Sequence, residues 1–95
     1  MSEVNADRLQ RMEQRLRESL QPAHLELRDD SHQHVGHAGA RDGRGHFAVT
    51  VVSAAFAGLS PIARHRCVYA ALGGMMQTDI HALQIRAFAP GEGAH

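Results

Sequence analysis

The sequence predicts one α+β domain, a three-stranded mixed sheet covered by helices. Two observations lead to this prediction. Two stretches place apolar residues at helical spacing, and three shorter stretches alternate apolar and polar residues as half-buried strands do, in the order helix, strand, strand, helix, strand. A chain of 95 residues can bury one modest core, so we expect a single domain over residues 1–95.

The first helix is predicted over Asn5–Leu20. Its apolar residues recur every three or four positions among mostly charged and amide side chains: Leu9, Met12, Leu16 and Leu20. Pro22 ends this helix, because proline lacks a backbone donor and restricts the residue before it. HLELRD, residues 24–29, then alternates leucines with charged side chains, and we expect it to form the first strand.

The second strand is predicted over residues 46–53, HFAVTVVS, and its valines favour the middle of the sheet. A brief turn around Phe56 and Gly58 follows it. Ser60 followed by Pro61 then predicts the start of the second helix, because serine is a preferred N-cap and proline fits the first helical position.

The second helix carries one stripe that we expect to be structural: His65, Val68, Leu72 and Met75. Gly73 and Gly74 weaken or end the helix, and Cys67 is expected to be a small buried hydrophobe. Residues 81–90, HALQIRAFAP, predict the last strand. We expect residues 91–95 to form a disordered tail.

Eight histidines are the compositional outlier, and SHQHVGHAG, residues 31–39, holds three of them: His32, His34 and His37. Neutral imidazoles bind borderline metals. The first two strands should pair antiparallel, and the third should return parallel after its helical crossover. The histidine loop would then share one edge of the sheet with His46 and His81, which predicts a metal-binding site there.

Composition narrows the class of protein. Lys plus Arg and Asp plus Glu both number 10, so no net positive charge draws the chain to nucleic acid or to a membrane. A single cysteine excludes an internal disulfide and fits a reducing compartment. No run of residues has the length and apolarity of a transmembrane helix, and we expect a cytoplasmic protein.

Three segments make the chain resemble the BolA family: LQPAHLELRDDSHQHVGH, HFAVTVVSAAFAGLSPIARHRCVYAALGGMM and IHALQIRAFAP. Within them, three features are highly specific together: the Asp-Ser step before the loop, the Phe, Gly, Arg-His-Arg and Tyr pattern, and the His-Ala-Leu start of the last strand. The resemblance spans nearly the whole chain. It implies a KH-like fold of the class II type, with a short turn-helix before the second long helix.

The resemblance also implies a non-enzymatic partner of monothiol glutaredoxins in iron-sulfur cluster trafficking or iron regulation. In the family's heterodimers a [2Fe-2S] cluster is held by a cysteine and a bound glutathione on the glutaredoxin side, and by a C-terminal histidine and a loop histidine or cysteine on the other. His81 matches the C-terminal ligand. His34 matches the loop ligand, with His37 in reserve and His32 close by, so this chain resembles the histidine-type subfamily.

Two other function classes fit the sequence less well. Some BolA proteins are described as DNA-binding transcription regulators of cell shape and stress response, and here Arg64 and Arg66 would contact the nucleic acid. The zero net charge and the absence of a Gly-x-x-Gly clamp in FAGLSPIA argue against this alternative. A metal-dependent hydrolase fits least, because the histidines have no obvious paired general base. The sequence leaves open whether the chain alone forms a homodimer.

Overall fold

The computed structural model describes residues 3–31 and 43–92, without the side chain of Glu3. The elements follow the predicted order, with one short helix added: α1 Glu3–Leu20, β1 His24–Asp29, β2 Gly45–Val52, a 3-10 turn Ala54–Phe56, α2 Pro61–Leu72, α3 Met75–Thr78 and β3 Ile80–Phe88. The predicted α+β class is confirmed.

The strands form one sheet in the order β1-β2-β3. β1 pairs antiparallel with β2, and β3 pairs parallel with β2 on its other side. Both predicted directions and the central position of β2 are therefore confirmed. Because β1 and β2 are antiparallel and β2 and β3 are parallel, the start of β3 lies at the same edge of the sheet as the end of β1 and the start of β2.

One core holds the elements together. α1 packs against β1, α2 packs against β3, and the two helices pack against each other. The most deeply buried side chains come from both the helices and the sheet: Met12, Leu16, Phe47, Val49, Val51, Phe56, Val68, Leu72, Met75 and Ile80. The core residues of β2 are every second residue of the strand, as expected when one face of the sheet is covered by helices.

The limits of α2 follow the predicted local chemistry. Ser60 caps the helix, its hydroxyl accepting a hydrogen bond from the Ala63 N–H over 3.1 Å, with Pro61 at the first position. Gly73 ends the helix at a φ of +56°, a conformation that favours glycine. Placing Met75 on the α2 stripe was wrong, because Gly73 redirects the chain and Met75 begins α3; its side chain is still buried.

The start of the predicted tail carries specific contacts. The Arg64 guanidinium donates to both Glu92 carboxylate oxygens, with 2.9 Å between Nη2 and Oε2, and the Ala89 N–H donates to Glu92 Oε1 over 3.0 Å. The bond from Arg64, and then that from the Ala89 backbone, lower the pKa of Glu92 to about 2. Residues 93–95 lie outside the described residues, and disorder there stays a prediction.

Candidate functional site

His81 lies at an irregularity in the sheet. The β2–β3 register shifts between Gly45, which lies opposite Ile80, and His46, which lies opposite Ala82. His81 is therefore the extra residue of a β-bulge, a device that redirects a side chain at the rim of a sheet. The ring centroids of His46 and His81 lie 5.0 Å apart. The predicted convergence of these two histidines is confirmed.

The two imidazoles differ in access. His46 is 7% exposed, whereas His81 is among the exposed residues at the start of β3. An exposed imidazole can meet a ligand or metal brought by another molecule without any core movement. Of this pair, His81 is the side chain that a partner protein can reach.

Arg44 contacts His81 directly. Its Nη2 lies 3.2 Å from His81 Nδ1, and its Nη1 lies 3.4 Å from the carbonyl oxygen of Gln77. A guanidinium can only donate hydrogen bonds, so Nδ1 of His81 is the acceptor in this contact. Sequence reasoning did not select Arg44, and its one available signal was its place two residues before His46.

The two ends of the histidine loop meet beside His46. The Asp30 N–H donates to the His46 carbonyl over 2.8 Å, and the His46 N–H donates to Ser31 Oγ over 3.0 Å. Asp29 Oδ1 accepts from the Ser31 N–H over 2.9 Å, which forms an Asx-type turn at the start of the loop. The Asp-Ser step therefore anchors the segment that carries the loop histidines next to the His46–His81 pair.

A chain of hydrogen bonds fixes this edge to α1. Asn5 Nδ2 donates to Ser31 Oγ over 3.2 Å, Arg8 Nη1 donates to Asn5 Oδ1 over 2.9 Å, and Arg8 Nε donates to Asp79 Oδ1 over 3.1 Å. Arg11 also bonds Asp79, and mainly through that bond the pKa of Asp79 is held well below its usual range. Asp79 stays charged near neutral pH and secures the start of β3, two residues before His81.

A protein-family model described as BolA-like protein matches residues 16–92, which is most of the chain. The chain belongs to the BolA-like family. The deciding match includes β1, both anchored ends of the loop, the bulge and the whole of β3.

Comparison with individual proteins gives the same family. The chain is 46% identical over 78 residues to BolA-like protein 1 of Homo sapiens, covering 82% of this chain and 55% of that protein. It is 37% identical to the protein named DNA-binding transcriptional regulator BolA of Escherichia coli, covering 83% of this chain and 72% of the relative. The chain thus spans about half the length of the human relative.

A solved structure supports the same fold. The BolA domain of SufE1 from Arabidopsis thaliana superposes with a TM-score of 0.80 at 39% identity, covering 90% of this chain and 95% of that chain. The KH-like arrangement expected of the family, with helices on one three-stranded mixed sheet, is the arrangement of this BolA-like protein.

The predicted loop ligands lie outside the described residues: His32, His34 and His37. Their assignment stays a prediction. Among residues 3–31 and 43–92, no three His, Cys, Asp or Glu side chains form a group that could hold a metal ion. The described part of this BolA-like protein therefore supplies His81 and its surroundings, and a metal there needs further ligands from the loop or from a partner.

Arg64 and Arg66, the predicted contacts to nucleic acid, differ in their exposure to solvent. Arg64 bonds Glu92 and the carbonyl oxygens of Leu59 and Ala87, and its side chain is 13% exposed. Arg66 is exposed on α2. His65 and Cys67 are half-buried; Cys67, which was predicted to be buried, packs against the core but keeps part of its surface exposed. Of the two arginines, only Arg66 presents its charge to solvent.

No helix in the described ranges is both long enough and apolar enough to cross a membrane.

Proposed function

We propose that this BolA-like protein is a non-enzymatic adaptor that binds a monothiol glutaredoxin and shares a [2Fe-2S] cluster with it. His81 is the proposed ligand from the sheet, and His34 is the proposed loop ligand, with His37 in reserve. The observation that carries the proposal is the exposed His81 at a bulge beside the point where both ends of the histidine loop are anchored. We expect the protein to act in cluster trafficking or iron regulation in the cytoplasm.

The donor set supports a site completed by another molecule. Iron-sulfur clusters are usually held by thiolates, and the one cysteine of the chain, Cys67, lies on α2 against the core. This chain can therefore offer imidazoles, while the partner's cysteine and its bound glutathione would bring sulfur. In the proposed heterodimer each protein supplies only part of the ligand set, so the shared cluster links the two proteins.

The chain's own residues orient His81 and limit the reach of the loop. The contacts of Asp79 with Arg8 and Arg11 hold the start of β3 against α1, so His81 stands on a rigid element. Covalent geometry limits residue 34 to within roughly 11 Å of the anchored Ser31, at about 3.6 Å per residue. A loop ligand three residues after that anchor is in range of the edge.

Anaerobic co-expression with a monothiol glutaredoxin tests the proposal. We expect a coloured one-to-one heterodimer that contains iron and acid-labile sulfide in equal amounts. Size-exclusion chromatography with metal analysis measures both properties. Separate elution of the two proteins, with all of the iron and sulfide in the glutaredoxin fraction, would contradict the proposed function.

A second candidate function is DNA binding in transcription regulation. The name of the Escherichia coli relative and the exposed Arg66 on a helix with a capped N-terminus favour it. If Arg66 contacts a phosphate, Arg66→Ala should weaken binding to duplex DNA and reduce the slope of log affinity against log salt by about 1. Fluorescence anisotropy at several salt concentrations measures this slope, and an unchanged slope would exclude Arg66 from the interface.

A further inference from the structure

We propose that Arg44 is a positioning residue that blocks His81 in the metal-free chain, so that Arg44 must leave before His81 can bind a metal. The proposal rests on the proposed function, since it takes His81 as the metal ligand. Arg44 would regulate the same site, because a metal could bind His81 only after the Arg44 side chain has moved away.

The hydrogen bond defines which nitrogen of His81 holds its proton. The guanidinium of Arg44 has donors but no acceptor, so the Nδ1 atom 3.2 Å from its Nη2 must present a lone pair. A neutral imidazole in this contact therefore has its hydrogen on Nε2. Arg44 holds the ring in that one tautomer.

Neither nitrogen of His81 can take a metal while this contact persists. A metal at Nδ1 needs the lone pair that Arg44 already engages. A metal at Nε2 requires the ring proton to be on Nδ1. The Nδ1–H would then face an N–H of Arg44, and a guanidinium cannot accept a hydrogen bond. Binding through either atom therefore removes Arg44 from its place.

The backbone beside Arg44 is defined by two glycines. Arg44 lies between Gly43, which has a φ of +81°, and Gly45, where a Cβ atom would overlap the Phe47 ring and only glycine fits. The pairing of β2 with β3 begins at Gly45, so Arg44 precedes the strand and its backbone lies outside that pairing. Moving the Arg44 side chain away from His81 therefore breaks no hydrogen bond between these strands.

Cobalt binding by the isolated chain tests the proposal without any glutaredoxin. Arg44→Met keeps the side-chain length but removes the charge and the donors, and we expect it to tighten Co²⁺ binding about tenfold, the size of one charge-assisted hydrogen bond. Arg17→Met is the matched control, because it makes the same charge change at an exposed position of α1 that belongs to no proposed site. Its affinity should stay within about twofold of the unmodified chain, since distant surface charges are screened.

Two further measurements complete the test. Adding His81→Ala to the Arg44→Met variant should abolish the gain in affinity, and ¹⁵N NMR of the metal-free chain should show the His81 proton on Nε2. Equal Co²⁺ affinity with and without Arg44, no Co²⁺ binding by Arg44→Met, or a proton on Nδ1 would each overturn the proposal. If the heterodimer did not form, only the proposed function would be overturned. The Co²⁺ affinities and the NMR result for the isolated chain would be unaffected.

Discussion

The substitution His81→Ala should remove most of the visible absorption of the anaerobic heterodimer. His81 is the exposed imidazole at the bulge, and the described part of the chain has no other group of ligands to replace it. Loss of a residue that merely supports a ligand typically costs 10–100-fold in metal affinity, so loss of the ligand itself should cost on the order of 100-fold or more. Visible absorption and circular dichroism, normalised to protein, measure the retained cluster.

His24→Ala is the matched control for this experiment. His24 begins β1 and lies opposite Val52, at the other end of the sheet from His46 and His81. The control should keep its absorption, and both variants should unfold at nearly the temperature of the unmodified chain, because neither residue is in the core. If His81→Ala retained the full spectrum at equal iron content, His81 would not be a ligand and the proposed geometry would be wrong.

The substitution Phe56→Ala should lower the free energy of unfolding by about 3–5 kcal/mol, the usual cost of truncating a buried phenylalanine. Phe56 has 0% exposure and lies on the 3-10 turn between β2 and α2. The turn is held by Ser53, whose hydroxyl accepts from the Ala55 N–H and donates to the Leu20 carbonyl. The turn therefore cannot easily collapse into the cavity. Urea denaturation followed by far-UV circular dichroism measures the loss.

The comparison for Phe56 is Ile62→Ala, which removes an apolar side chain that is 65% exposed. Its effect should stay within about 0.5 kcal/mol, as for surface substitutions generally. Small domains have only about 5–15 kcal/mol of stability, so Phe56→Ala removes a large fraction of the total. If that variant does not fold, Phe56→Leu should show a smaller loss of the same sign. A loss below about 1 kcal/mol for Phe56→Ala would contradict the packing described for this residue.

Much of the candidate site follows from topology that local patterns could predict. The antiparallel hairpin and the parallel return of β3 place Ser31, His46 and His81 at one edge, and the strand directions follow from element order and crossover rules. The loop ligand, which the sequence left among three histidines, remains a prediction because those residues lie outside the described ranges.

The amino-acid sequence by itself determined the element order, the core residues of β2, the caps of α2 and the family resemblance, because each depends on spacing or on neighbours in the chain. Only the tertiary structure showed that His81 is a bulge residue, that Arg44 engages its Nδ1, and that Glu92 bonds Arg64. The contacts of Arg44 and Arg64 join side chains 37 and 28 residues apart. Such pairs form only when packing brings distant segments within hydrogen-bond distance, and no periodicity in a sequence encodes that distance.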